Sequence, residues 1–514
     1  MSASPNPNPK TTRSCLFYAI FGFIVLPMLL ICGTLGVFVA RDKSAAGKIA
    51  VIKQEYIADG LPVDNASLDS YYSKMASDEH AGEWVGLLDE VTDEKLEPLI
   101  RGVAILGVDG GEIPVSKEMD PVLQSSGTSL VEAAEDLEPE PNMDSGSEES
   151  FAGYESDVRW NQGRVRKFLM TTAELRERIH TAAQRQLQPG VKPVRFPVKL
   201  DGYNTLLSQV QNMRQLARFL AVEGEMAVYD RDSEGASRCI KSMIGASDAL
   251  GGDPMLISQL VRIAINGIAM NLLKRSVEQD VLTDGQLVEI GAILAQRTQI
   301  SATWYLAHHG ERATALPVFE GTASYMETPR LPFRSNDALY FLENNKAAFE
   351  AELSDINTFR KDMKAAEQEL NNLVSGNFIA KLDSLLTQMV APAATQIGDS
   401  FVREATMHRL ALLALGVRLY EKRNGSLPGS LEDLKNLKVE GLELDPAVLM
   451  PIGKKPFGFK VEEQDAKPKA VLWGFSLLNA DETPDEPPKD DPGLEIEAIW
   501  VWQLDSGSSN AESP

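Results

Sequence analysis

Residues 255–277, with the sequence MLISQLVRIAINGIAMNLLKRSV, decide the fold of the body of this protein. Apolar side chains occur on most sides of a helix drawn through them, among them Leu256, Ile265 and Leu273. A helix that is apolar nearly all round is buried among other elements rather than lying on a surface. We therefore expect this stretch to form the central helix of a helical bundle.

The segments on both sides of this stretch predict further helices joined by short loops. Between residues 203 and 294, apolar side chains recur at spacings of three and four, which is typical of amphipathic helices. Short loops favour antiparallel packing of neighbours, so we expect an α-helical array over residues 158–392. The array is tetratricopeptide-like at best, because no repeat of about 34 residues is visible. The side chains expected to cap its helices are Asp232 or Ser233, Asp253 before Pro254, and Thr283.

The second half of the array has a less regular pattern. Residues 304–334 contain several prolines and are predicted to form a loop-rich crossing. Residues 336–374 are predicted to form one long charged helix. Polar residues such as Arg360 and Glu367 interrupt its heptad seam. We therefore expect it to pack on its own domain rather than to form a self-pairing coiled coil.

Residues 393–505 predict a small α+β module at the C-terminus. Residues 401–423 have a helical apolar face, and Ser430 with Asp433 can form a capping box at the start of a short second helix. Strands are predicted at residues 470–477 and 496–503. A disordered tail is predicted at residues 506–514. The fold class predicted for the whole chain is therefore mainly α: an N-terminal transmembrane helix, an α-helical array and this module.

The order of elements in the module carries a resemblance. The sequence LALLALGVRLYEKRNGSLPGSLEDL, followed by DP, GKKPFGF and a strand, is similar to the module common in type II secretion pseudopilins. It also resembles the C-termini of uncharacterised planctomycete membrane proteins, and residues 205–221 and 252–265 resemble the middle of those proteins. The resemblance implies no known activity. Its module lies far from the apolar N-terminal stretch, and no prepilin cleavage site is present, so a pilus subunit is not predicted.

The resemblance to pseudopilins also raises a calcium site, because such modules often hold calcium in an acidic loop. Carboxylate oxygens suit calcium, but prolines 484, 487 and 488 interrupt any regular ligand spacing. We expect a solvated loop over residues 479–495 and predict no metal. The acidic residues of this loop are Asp481, Glu482, Asp485, Glu486, Asp490 and Asp491.

Residues 15–40, CLFYAIFGFIVLPMLLICGTLGVFVA, predict a membrane anchor, since they carry no charged residue. At about 1.5 Å per residue such a helix exceeds the roughly 30 Å hydrocarbon core of a bilayer. The stretch is too long for a signal peptide, so an uncleaved single-pass anchor in the inner membrane is predicted. Flanking Lys and Arg residues alone would keep the body in the cytoplasm, but long domains translocate regardless of charge, and we expect the body outside. The flanking regions are a polar tail (1–14), a membrane-proximal helical region (41–108) and an acidic disordered linker (109–157).

The composition excludes one class of partner. The chain has 50 basic and 74 acidic residues, for a net charge of -24. Nucleic-acid binding needs clustered Lys and Arg, so nucleic acid is not an expected partner. The membrane and another envelope protein are the partners predicted.

A search for catalytic motifs identifies few candidate residues. His308, His309 and Glu311 could contribute to a metal or hydrolytic site, although adjacent residues on a helix point about 100° apart. Cys239 lies near an apolar helix face, where a buried inert thiol is expected. We therefore predict no catalytic residue, no cofactor and no metal.

Three functions remain open. The main hypothesis is a membrane-anchored, non-enzymatic interaction or scaffold protein of the bacterial envelope, because concave helical arrays commonly bind peptides. An accessory role in secretion or envelope assembly rests only on the pseudopilin-like module. A hydrolase would need a site whose residues come together only in three dimensions.

Overall fold

The structure is a computed structural model. It describes residues 26–92, 165–201, 204–321, 334–344, 346, 350–375, 384, 386–387, 394–442, 444–449, 456–464, 467–475 and 499–505. These residues are mainly helical and include one small three-stranded sheet, as the sequence predicts. The predicted linker at 109–157, the acidic loop at 479–495 and the tail at 506–514 lie outside the described residues.

The helices are numbered in chain order. They are α1 (Leu26–Ala58), α2 (Asn65–Met75), α3 (Ala81–Val91), α4 (Ala173–Gln186), α5 (Ser208–Tyr229), α6 (Ser233–Ala249), α7 (Leu256–Glu278), α8 (Asp284–Ala295), α9 (Thr303–Phe319), α10 (Arg334–Asn344), α11 (Ile356–Ser375) and α12 (Ala394–Asn424). A 3₁₀ helix at Leu431–Asn436 follows α12. The strands β1 (Gly458–Gln464), β2 (Lys467–Phe475) and β3 (Ile499–Asp505) then pair antiparallel in the order β1-β2-β3.

Helix α7 lies at the centre of the body, which confirms the prediction from its apolar surface. It packs against α5, α6, α9, α12 and β3. Among the described residues it is the one helix long and apolar enough to cross a membrane, and 61% of its apolar window is buried inside the protein. Its apolar surface is therefore used for core packing.

The caps of the array match the sequence at two of three positions. Asp232 Oδ1 accepts the N–H of Gly235 at 3.0 Å, and Thr283 forms a capping box with Gln286 at the start of α8. The predicted start of α7 at Asp253 is wrong, because the helix begins at Leu256. Asp253 Oδ1 instead accepts the N–H of Met255 at 3.0 Å, which holds residues 253–255 in a turn before the helix.

The loop predicted at residues 304–334 is wrong over its first half, which forms helix α9. Its single proline, Pro317, lies in the last turn of α9. The carbonyl oxygen of Pro254 lies where a Cβ on Gly310 would come within 1.7 Å, so glycine permits the close approach of α9 to the turn before α7. Residues 308–311 (HHGE), considered above for a metal or hydrolytic site, thus include a glycine that serves helix packing.

The single helix predicted over residues 336–374 is also wrong, because α10 and α11 are separate helices. Asp355 begins α11, since its side chain accepts the N–H of Asn357 at 3.1 Å and the hydroxyl of Thr358 at 2.6 Å. Helix α11 packs on α12, with Phe359 in a cluster with Phe401. This confirms that the helix packs within its own domain.

The C-terminal module shares its core with the array. Helix α12 begins seven residues before its predicted start and packs against α7, α8 and α11. The buried guanidinium of Arg418 donates to the carbonyl oxygens of Val277 and Glu278, at the C-terminal end of α7. The backbone N–H of Gln503 in β3 donates to Glu278 Oε1 at 2.8 Å. Strand β1 was not predicted, because its alternation of charged and apolar residues is short.

Helix α1 continues from the apolar N-terminal stretch into the body. Residues 15–25 of the predicted anchor lie outside the described residues, so the membrane span stays a prediction. The second half of α1 packs on α10, where Asp42 Oδ1 accepts the N–H of Ser335 at 2.9 Å. Ile49 lies in a cluster with Phe319 and Phe341. The helix ends at Ala58, and Gly60 follows it with a φ of 71°.

Candidate functional site

A polar cleft lies at one end of the array and is the candidate functional site. Its volume is about 440 Å³. Helices α4, α6 and α8 end at this cleft, and α9 begins there, so loops and helix termini form most of its wall. Its ionisable side chains are Asp248, Arg262, Arg297, Glu404 and His408.

A buried ion pair of α7 and α12 forms one part of the cleft. Arg262 Nη1 and Nη2 donate to Glu404 Oε1 and Oε2 at 2.8 and 2.6 Å, and Asn266 Nδ2 donates to Oε1 at 2.6 Å. Burial alone would raise the pKa of Glu404, but the charge of Arg262, the nearby His408 and the hydrogen bonds from Arg262 and Asn266 together hold the pKa below its ordinary value. Glu404 is therefore a carboxylate whose lone pairs are largely occupied.

A second ion pair, Asp248 with Arg297, is more open. Arg297 Nη2 donates to Asp248 Oδ2. The side chain of Asp248 is 28% exposed and that of Arg297 is 20% exposed. Burial raises the pKa of Asp248 above its ordinary value, and Arg297 opposes this shift only in part. The two carboxylates of the cleft therefore have pKa values shifted in opposite directions.

His408 and Gln186 also line the cleft. His408 Nδ1 donates to the carbonyl oxygen of Arg297 at 3.1 Å, and burial lowers the pKa of His408, so the imidazole is neutral. Gln186 is 6% exposed, and its Nε2 has no hydrogen-bond partner among the described residues. Buried amide groups in folded proteins are nearly always paired. The Gln186 amide is therefore an unpaired buried group in the wall of the cleft.

The residues singled out in the sequence do not form a shared site. His308 and His309 both lie in α9 and are buried. His308 Nδ1 donates to the carbonyl of Trp304 at 3.0 Å, whereas the ring of His309 stacks on Tyr305. Burial lowers the pKa of His308 to about 4 and that of His309 to about 3, so both are neutral and packed among aromatic rings. Glu311, the third predicted residue, is partly exposed.

A second polar cluster joins α4, α5 and α6 around Glu223. His180 Nε2 donates to Glu223 Oε2 at 2.9 Å, and Cys239 lies close enough that the three ligand atoms fall within 4.8 Å of one another. Arg176 and Arg238 also donate to Glu223 Oε1. Two guanidinium groups on the carboxylate oppose a bound cation, so the cluster is a buried charge network. Burial raises the pKa of Cys239 well above its ordinary value, in agreement with the predicted inert thiol.

Comparisons with known proteins found no relative. No family model matches the chain, and no curated protein and no solved structure is similar to it. The functional argument therefore rests on the residues themselves. Sequence reasoning missed the cleft because its residues lie more than 200 positions apart, from Gln186 to Glu404. The one available signal was that Gln186, Asp248 and Arg297 each lie at the end of a predicted helix.

Proposed function

We propose that this protein is a membrane-anchored, non-enzymatic interaction protein of the bacterial envelope, which binds at the polar cleft. Residues 15–40 would hold it in the inner membrane, with the body on the non-cytoplasmic side. The observation that carries this proposal is the continuity of α1 with the body. An anchor that continues as a packed helix holds the body, and the cleft with it, at a set distance from the membrane.

The contacts of α1 support this rigid connection. Lys53 Nζ pairs with Glu320 Oε1 at 2.6 Å, and the guanidinium of Arg312 lies over the ring of Tyr56 at 3.7 Å from its centroid. Burial lowers the pKa of Arg312 to about 10, which leaves it charged at neutral pH. A cation over a tyrosine face in a buried place is a strong contact. The outer end of α1 has no comparable packing at Met28, which is 63% exposed.

The contacts of the cleft favour binding over hydrolysis. A pair of carboxylates with separated pKa values is the usual arrangement for an acid and a base. Here, however, both oxygens of Glu404 already accept hydrogen bonds from Arg262 and Asn266. Three of the four acceptor sites of this carboxylate are occupied, and its lowered pKa makes it a weak base. Glu404 therefore supports the shape of the cleft, and the more exposed Asp248 and Arg297 provide contacts.

An affinity purification from detergent-solubilised membranes tests this function. The full chain is compared with a variant truncated after Ala58, which keeps the predicted anchor and lacks the body. We expect a distinct set of envelope proteins to copurify with the full chain alone. Recovery of the same background proteins with both forms would refute a role in interaction.

The orientation is tested separately by cysteine labelling. A variant with Cys15→Ser and Cys32→Ser receives a new cysteine at Ala46, an exposed position of α1. Cys239 is buried, so it contributes little background. A membrane-impermeant maleimide is expected to label Ala46→Cys in intact spheroplasts. Labelling only after lysis would place the body in the cytoplasm.

A further inference from the structure

The segment of α1 that follows the predicted membrane span is basic in an otherwise acidic protein. Residues 41–53 contain four basic residues and one acidic residue, whereas the whole chain has a net charge of -24. The exposed charged side chains among residues 41–51 are those of Arg41, Lys43 and Lys48. All three are positive, and we call them the juxtamembrane basic cluster. Exposed charge of one sign on a short segment attracts partners of the opposite sign.

The one acidic residue of this segment, Asp42, is directed toward the body. Its Oδ1 accepts the N–H of Ser335 at 2.9 Å, and α10 begins at the preceding residue, Arg334. A helix N-terminus carries a partial positive charge, so it offsets part of the negative charge of Asp42. Asp42 is only partly exposed, whereas the basic residues on both sides of it are exposed. The segment therefore presents positive charge to its surroundings.

The position of the cluster along α1 places it at the surface of the bilayer. Helix α1 is continuous from Leu26 to Ala58, so distances along it follow from a rise of about 1.5 Å per residue. The predicted span would measure about 39 Å, of which the hydrocarbon core takes up roughly 30 Å. Its last residues would then lie among the headgroups, with Arg41 and Lys43 next to them. Lys48 lies about 10 Å beyond Arg41, close to the Debye length of about 8 Å at physiological salt.

The three side chains can reach lipids on more than one side of α1. Arg41 and Lys43 project to nearly opposite sides of the helix, and Lys48 lies two turns from Arg41 on the same side as Arg41. Long basic side chains near the end of a membrane helix extend into the headgroup layer. A zwitterionic headgroup offers them no net charge, whereas an anionic headgroup offers one negative charge or more. The cluster therefore distinguishes lipids by charge.

We propose that the juxtamembrane basic cluster binds the headgroup phosphates of anionic phospholipids. Charge complementarity selects these lipids, because Lys and Arg residues beside a membrane helix are attracted to a negative membrane surface. This attraction acts where the chain leaves the bilayer and opposes the repulsion between the acidic body and the same surface. The inference rests on the proposed function, since it requires residues 15–40 to span the membrane.

Electron paramagnetic resonance of spin-labelled lipids tests the proposal on the full chain, reconstituted in phosphatidylcholine bilayers. Trace phosphatidylglycerol or phosphatidylcholine carries the same acyl-chain label, and the fraction of label immobilised by the protein gives the relative affinity. We expect a preference for phosphatidylglycerol, which the triple variant Arg41→Gln, Lys43→Gln and Lys48→Gln reduces at least about threefold. The preference of the native chain should also fall in about 1 M salt, where the Debye length is only about 3 Å.

Lys53→Gln is the matched control. It makes the same charge change on the same helix, but Lys53 lies about 18 Å beyond Arg41 and already pairs with Glu320 at 2.6 Å. We expect Lys53→Gln to keep the preference of the native chain. Lys10 and Arg13 in the N-terminal tail are present in every variant. The difference between the native chain and the triple variant therefore reports the cluster alone.

The outcomes separate this inference from the proposed function. Equal affinity for the two lipids, a preference that the triple variant keeps, or an equal reduction in Lys53→Gln would overturn the inference. If the triple variant loses its far-ultraviolet circular dichroism, Lys43→Gln with Lys48→Gln replaces it under the same criterion. Extraction of the native chain from membranes by alkaline carbonate would refute the anchor, and so the proposed function. Retention in the bilayer without a lipid preference would refute only this inference.

Discussion

Two buried carboxylates of this protein have similar partners and different surroundings. Glu223 is enclosed between α4, α5 and α6, where His180 and two arginines donate to it. Glu404 accepts from Arg262 and Asn266, and Glu404 and Arg262 border an open cleft. In both cases the positive partners overcome the effect of burial and lower the pKa of the carboxyl group.

The difference in surroundings separates a carboxylate with a structural role from one that also belongs to a candidate functional site. The Glu223 network, whose arginines reach solvent at its edge, holds its helices together. A network beside a cleft can do the same and also set the shape of a site, while neighbouring groups such as Asp248 and Arg297 remain open to a ligand. A perturbed pKa therefore does not by itself identify a functional residue, and the deciding property is access.

The largest expected effect follows from breaking the network at the cleft. Glu404→Ala leaves the guanidinium of Arg262 buried without its counter-ion, which is expected to cost about 4 kcal/mol of unfolding free energy. Urea unfolding followed by tryptophan fluorescence measures it. The double variant Arg262→Met with Glu404→Leu replaces the pair by apolar side chains and should recover most of the loss. A loss below about 1 kcal/mol in Glu404→Ala would contradict this account.

Breaking the Glu223 network is expected to cost less. Glu223→Gln leaves Arg176 and Arg238, whose side chains are 15% and 30% exposed and can turn to water. We expect a loss of about 2 kcal/mol in the same unfolding measurement. A loss larger than that of Glu404→Ala would reverse the comparison between the two networks.

When the pH falls, the two carboxyl groups of the cleft, Glu404 and Asp248, should change the stability of the fold in opposite directions. The pKa values of Glu223 and Glu404 are lowered by folding, so their stabilisation is present above the unfolded value of 4.5 and is lost as the pH falls below it. Each contributes at most about 1.4 kcal/mol per pH unit. The pKa of Asp248 is raised, so its protonation favours the fold as the pH falls toward 3.8. Unfolding midpoints between pH 3 and pH 7 are therefore expected to fall more steeply with acid in Asp248→Asn than in the native chain; an unchanged slope would disprove this sign.

The smallest expected effect compares two buried amides. Gln186→Leu removes an amide without a partner and is expected to change stability by less than about 1 kcal/mol, or to raise it. Gln259→Leu removes an amide that donates to two carbonyls and accepts from Arg262 Nε at 2.9 Å, and it should cost about 2 kcal/mol. Equal losses in the two variants would show that Gln186 has a structural partner.

The pattern of apolar residues predicted helices α5 to α8 well, but it predicted the segments that follow them in the chain poorly. Helices α5 to α8 extend from Ser208 to Ala295, close to the span 203–294 over which amphipathic spacing predicted helices, because this spacing and caps such as Asp232 are local signals. Helix α9 was missed because Pro317 suggested a loop, although a proline in the last turn removes only one hydrogen bond. The break before α11 depends on Asp355, one of three aspartates in residues 336–374.

The sequence by itself determined the class of this protein: a mainly helical body, a central apolar helix and a continuous apolar stretch before it. These properties depend on residues close together in the chain, whose periodicity and hydropathy can be read directly. Only the tertiary structure decided which polar residues meet. Gln186, Asp248 and Arg297 come from the ends of three helices and Glu404 from the interior of α12. His308 and His309, adjacent in sequence, face different neighbours. Packing brings polar groups together across distances that no local pattern records.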